Sequence, residues 1–159
     1  MSQDATFEDG GEKPLRLKAL DAEDLSVIAA LTQDAVFPAG EMTWDRRQRR
    51  FALLLNRFRW EDASRATARA RQFERVQSVL AFEDVLAVQS QGVDKSDPDV
   101  VFSLLSIAFE PGDQGAGRIT LTLAGDGVIA LSVEALEVVL RDVTRPYIAP
   151  SGKAPAHPE

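Results

Sequence analysis

The stretch from Asp45 to Trp60 (DRRQRRFALLLNRFRW) constrains the fold more than any other part of the chain. It opens as a polar turn holding Arg46, Arg47, Arg49 and Arg50. It continues as Phe51-Ala52-Leu53-Leu54-Leu55, a run too apolar to leave in water. It closes with arginine and aromatic residues alternating from Arg57 to Trp60. A β-hairpin tip that feeds a buried strand accommodates all three parts.

Around this strand the chain reads as follows. Residues 1–13 are an acidic tail expected to be disordered. A short strand is expected over Leu15–Leu20. A helix over 22–34 follows, with Asp21 as N-cap, Asp24 at the capping-box position and Leu20 and Leu25 placed for a hydrophobic staple. Pro38 and Gly40 break the pattern before a strand at 41–45 that alternates Met42 and Trp44 with Glu41 and Thr43. After the arginine tip and its strand, residues 61–73 lack a strong period and read as a long loop. Strands are then expected over Arg75–Phe82, Val85–Gln91, Val100–Glu110, Arg118–Leu123 and Val128–Val133. Glu83-Asp84 marks a turn or bulge, and Gly125-Asp126-Gly127 a tight hairpin. Leu136, Val139, Leu140 and Val143 stand at i, i+3, i+4 and i+7, which predicts a helix ending before Pro146. Residues 148–159 form a flexible proline-rich tail.

Phe51-x-Leu53-Leu54-x₃-Phe58 also matches Phe102-x-Leu104-Leu105-x₃-Phe109, and the strands downstream of each can be aligned. This internal similarity predicts two three-stranded meanders in succession. The expected fold class is therefore α+β. It is a single domain over 14–147, an antiparallel barrel or sandwich of seven to eight strands with an N-terminal helix and a C-terminal capping helix. That order of elements is similar to pleckstrin-homology-like barrels, with a generic α+β sandwich or split barrel as the alternative.

Composition excludes more chemistry than it suggests. There is no cysteine among 159 residues, and the only histidine, His157, lies in the proline-rich tail. Disulfide, thiolate, Ser-His-Asp and zinc arrangements are thereby removed. Asp21, Glu23 and Asp24, Glu83 and Asp84, and Asp97 and Asp99 all fall where caps and turns favour carboxylates. The Asp94–Asp99 run lacks the glycine of a calcium loop. No catalytic residue, metal ligand or cofactor is assigned, and catalysis is not expected; a carboxylate-dependent enzyme is the remotest reading. The N-terminus lacks a signal-peptide pattern, and the apolar runs are shorter than a membrane span needs. A cytoplasmic location is expected.

Charge is unevenly spread. The formal net charge is −7, yet residues 46–75 hold ten arginines against Glu61, Asp62 and Glu74. Arg46, Arg47, Arg49, Arg50, Arg57 and Arg59 are the candidate binding face, because guanidinium forks suit phosphate or carboxylate. The competing reading is a solvated hairpin whose arginines pair with acidic neighbours while Phe58 and Trp60 join the core. The favoured function is a non-enzymatic protein-interaction module, binding another protein or a second copy of itself through this face or an exposed strand edge. The alternative is a binder of nucleic acid or an anionic lipid surface through the same arginines.

Five separated blocks carry a family resemblance: Asp21–Val36, Arg49–Glu61, Ala87–Asp94, Leu104–Asp113 and Leu121–Val143. Over roughly 15–147 the chain resembles an uncharacterised alphaproteobacterial family, a domain of unknown function. The resemblance implies a small cytoplasmic protein without assigned activity. Gene placement near cell-wall precursor and histidine-biosynthesis enzymes goes with it, and no functional residue carries over.

Overall fold

The computed structural model describes residues 14–58, 74–144 and 147–148. Among them are one α-helix and eleven strands, all joined in a single antiparallel sheet. In chain order these are β1 (Arg16–Ala19), α1 (Ala22–Leu31), β2 (Val36–Pro38), β3 (Met42–Asp45), β4 (Arg50–Phe58) and β5 (Glu74–Phe82). There follow β6 (Val85–Gln91), β7 (Val101–Pro111), β8 (Gly117–Leu123), β9 (Val128–Val133), β10 (Val138–Asp142) and β11 (Tyr147–Ile148). The order across the sheet is β1-β10-β5-β4-β2-β7-β8-β9-β6, with β3 paired to β4 and β11 to β5.

This corrects the expected architecture. The sheet is open, ending at β1 and β6, and it has more strands than the seven or eight expected. It is not a closed barrel, and the pleckstrin-homology-like plan with a capping helix does not apply. The segment expected to form that helix is β10, which pairs with β5 on one side and β1 on the other. Its sequence satisfies two periods at once. Leu136, Val139, Leu140 and Val143 fit a helix, but Leu136, Val138, Leu140 and Asp142 are the residues that are buried, in strict alternation. The β-branched pair Val138-Val139 and two open ladder edges decide the contest for the strand.

The meanders are corrected in part. The second, β7-β8-β9, is present. In the first, β6 does not return beside β5. It crosses to pair with β9, while β10 crosses the other way to take the place beside β5. The segments β5–β6 and β9–β10 thus form one long antiparallel ribbon, bent at Glu83-Asp84 and Glu134–Glu137. Backbone bonds hold the bend from both sides: Glu83 N–H donates to Glu137 O (2.9 Å), and Glu134 N–H to Asp84 O (2.9 Å). Asp84 adopts φ 57° to make the corner. The short strand β2 joins the two halves directly, Val36 pairing with Asn56 of β4 and Ser103 of β7.

One core results. Phe51, Leu53 and Leu55 of β4 and Leu80 and Phe82 of β5 meet Leu104, Ile119, Leu121, Ile129 and Leu131 of the other half. The helix α1 starts as expected, Asp21 Oδ1 accepting from Asp24 N at 2.8 Å, but stops at Leu31 rather than 34. It buries Leu25 and Ile28 against β1 and β7. Leu20 is exposed, so the staple does not form.

The β7–β8 pair closes most tightly at Gly117, opposite Pro111, where an added Cβ would lie 2.5 Å from Glu110 O and 2.6 Å from the Phe109 ring. Gly117→Ala is expected to destabilise the fold by about 1–3 kcal/mol, as overpacking does. The measurement is the shift in urea midpoint at constant m-value.

Candidate functional site

The hairpin tip between β3 and β4 is a local consequence of its sequence. Asp45 and Arg50 are the last paired residues, and Asp45 Oδ1 accepts from Gln48 N at 3.1 Å. Arg49 N–H donates to Arg46 O (3.3 Å), and Arg49 takes φ 58° to bring the chain back into the ladder. The carbonyl of Arg49 then accepts from Val85 N at 2.8 Å. The tip is therefore docked on the bend of the long ribbon.

Docking separates the six candidate arginines. Arg49 pairs with Glu134 (2.7 Å), and the Arg50 Nε donates to both oxygens of Glu83 (3.1 and 2.9 Å). Both carboxylates belong to the bend, so these arginines brace the hairpin against it. Each pair is solvent-exposed and contributes about 0.2–1 kcal/mol. Arg46 and Arg47 are exposed and form no ion pair among the described residues. Arg59 lies outside the described residues, as do Trp60 and the 61–73 loop.

Arg57 is fully buried. It occupies the inward face of β4, two residues on from Leu55, where the register brings β5 and β10 alongside. Its Nη2 donates to both oxygens of Asp142 (3.0 and 3.1 Å), and its Nε to Ser78 Oγ (3.1 Å). Ser78 Oγ donates to Asp142 Oδ1 at 2.7 Å, and Asp142 Oδ2 also accepts from Leu15 N at 2.9 Å. Arg57 Nη1 donates to Phe58 O (3.1 Å). The signal for this was legible: Phe51, Leu53, Leu55 and Arg57 share one strand face with period two.

The sheet ends contrast sharply. The terminal strand β1 is four residues long, carries Arg16 and Lys18, and lies against α1. The other terminal strand, β6, is seven residues (VLAVQSQ) with no ionisable side chain. Past Val85, whose N–H is held by Arg49, no described strand pairs with its outer edge. Leu86 stands 52% exposed there. Strand edges are normally protected by charge, proline or cover; β6 carries no charge or proline, and among the described residues no strand covers it. Between β6 and β3 the open sheet leaves a slot of about 130 Å³, reaching inward to Phe51 and Ile129.

No three Asp, Glu, His or Cys side chains gather to hold a metal among the described residues. No helix among them is long and apolar enough to cross a membrane. The fold and its site define a small open-sheet protein in which Arg49, Arg50 and Arg57 are paired internally and the terminal strand β6 has no described strand on its outer edge. The chain belongs to the family described as "Protein of unknown function (DUF2948)", whose model matches residues 15–157. No curated protein and no solved structure matches it.

The buried pair generates a prediction. Asp142→Ala leaves the Arg57 charge uncompensated and is expected to cost about 3–5 kcal/mol. The double variant R57M/D142L removes both charges and is expected to be markedly less destabilised than the sum of its two single changes. A double-mutant cycle by chemical denaturation measures the difference.

Proposed function

We propose that this protein is a non-enzymatic interaction module that pairs with a second copy of itself along β6. The single observation that carries the reading is the exposed, uncharged edge at one end of the sheet. In a two-fold pairing of identical strands, any charge on the edge faces a like charge nearby. β6 is free of that conflict and β1 is not. With the two-fold near Val88, Ala87 of each copy opposes Gln89 of the other, and backbone bonds continue the sheet from one copy to the next. A contact of this length belongs with weak, concentration-dependent dimers rather than permanent ones.

Binding of a polyanion by the hairpin is the competing reading, and the ion pairs weaken it. Arg49 and Arg50 are engaged with Glu134 and Glu83, and Arg57 is internal. With two uncommitted arginines among its described residues, Arg46 and Arg47, the hairpin would neutralise about two phosphates. Affinity would then fall only roughly tenfold between 50 and 200 mM salt.

The two readings respond to salt with opposite sign. Each chain carries a formal charge of −7, so two copies repel, and screening strengthens their pairing. Sedimentation velocity across a concentration series is expected to show dimerisation that rises with salt. The A87K/Q89K variant places like charges across the pair and is expected to weaken the dimer at least tenfold, whereas A87K/Q89E opposes unlike charges and restores it. A chain that stays monomeric throughout, or one whose dimer ignores A87K/Q89K, overturns the proposal. Salt-sensitive nucleic-acid binding abolished by R46S/R47S would favour the competing reading.

A further inference from the structure

The slot between β3 and β6 has a chemistry of its own. Six of the eight residues that line it are apolar, Met42 and Trp44 from β3, Phe51 from β4, Val88 from β6, Ile129 from β9 and Val93, although polar and apolar atoms share its exposed surface about equally. The other two are Ser90 and Lys95. Its volume of about 130 Å³ is close to that of dry apolar cavities of ~150 Å³ that accept a benzene ring. One ring, or a branched aliphatic group of similar bulk, fills it.

Lys95 gives the slot its direction. It is exposed, and it forms no ion pair among the described residues although Asp94, Asp97 and Asp99 surround it in sequence. The carboxylates of Asp94 and Asp97 accept hydrogen bonds within their own loop. Asp94 Oδ1 accepts from Ser96 N (2.9 Å) and Ser96 Oγ (2.7 Å), and these bonds hold its carboxyl below the usual range. Asp97 Oδ1 accepts from Asp99 N at 3.0 Å. Lys95 is thus a lining residue with a cation that has no ion-pair partner among the described residues, and Ser90 adds a hydroxyl to the same lining.

We infer that this slot binds a small monocarboxylate whose other end is an aromatic or branched apolar group. The ring or branched group displaces water from the walls formed by Trp44, Val88 and Ile129. The carboxylate takes an ammonium and a hydroxyl donor, one for each oxygen. A dianion such as a phosphate monoester is a poorer fit, because one cation leaves half its charge unmatched. Small-ligand sites commonly combine apolar lining residues with a few polar groups that fix orientation.

The test uses phenylacetate as probe, phenylacetamide as its neutral isostere and the full-length chain at a concentration where it is monomeric. Amide shift changes in ¹⁵N NMR spectra are expected at Val88, Ser90, Val93 and Lys95. Phenylacetate is expected to bind about tenfold tighter than the amide, the contribution of one charge-assisted hydrogen bond. Lys95→Gln should abolish that preference while leaving weak binding of both, and its exposed position spares the fold. Ser90→Ala should reduce the preference in part. Equal affinity for acid and amide in the wild-type chain overturns the inference, as does a set of shift changes that avoids the slot. Retention of binding by A87K/Q89K separates this site from the pairing edge, so either proposal can fail alone.

Discussion

Three strands of this protein are tied together by a charge that has no access to water. Arg57 is carried on β4, Ser78 on β5 and Asp142 on β10, and their buried polar atoms satisfy one another. The chain reaches this arrangement from positions far apart: Arg57 and Asp142 are 85 residues distant. Burying either ion alone would cost several kcal/mol, so the packed state requires that β10 lie beside β5 in one register only. A slip of one residue would turn Asp142 outward and leave Arg57 facing Leu55 and Val76 without a counter-charge. Asp142 also accepts from the backbone N–H of Leu15 while donating its own N–H to Leu15 O (2.9 Å). The same carboxylate therefore anchors the start of the described chain, and with it the sheet's protected end.

The second constraint is the bent ribbon. Because β5 runs on into β6, and β9 into β10, each half of the sheet lends one strand to the other. The exchange explains why a single core forms where two separate meanders would have made two small ones. The arginine hairpin acts on this bend: its carbonyl at Arg49 and its side chains at Arg49 and Arg50 contact Val85, Glu134 and Glu83. Those exposed ion pairs add little energy individually. Their consequence is positional, since they fix the tip on the corner and set where β6 begins to diverge from β3.

Much of this was open to the sequence. The strands from β3 to β9 were visible in period-two alternation, and the N-terminal helix in its cap. What defeated sequence reasoning was a segment, Leu136–Val143, whose apolar residues satisfy both periods at once. Isolated propensity could not separate them, whereas two available ladder edges could. The arginines misled for a related reason. Counting charge along the chain made Arg57 the equal of Arg46, although one follows Leu55 on a buried face and the other sits in a turn. Glu83 and Glu134 were legible as turn residues but not as counter-ions, because nothing local shows that a corner 33 residues on and another 85 residues on meet one hairpin. The unprotected edge was invisible for the same reason: a strand becomes an edge only through the pairing of all the others.

The slot and the edge share one structural origin. β3 pairs with β4 over only four residues, Met42–Asp45, and β6 is held to the hairpin only at Val85. Beyond those points the two strands diverge, and the sheet cannot close across them. The open seam thus presents two unsatisfied surfaces of different kinds, one made of peptide groups and one of apolar side chains beside a lysine.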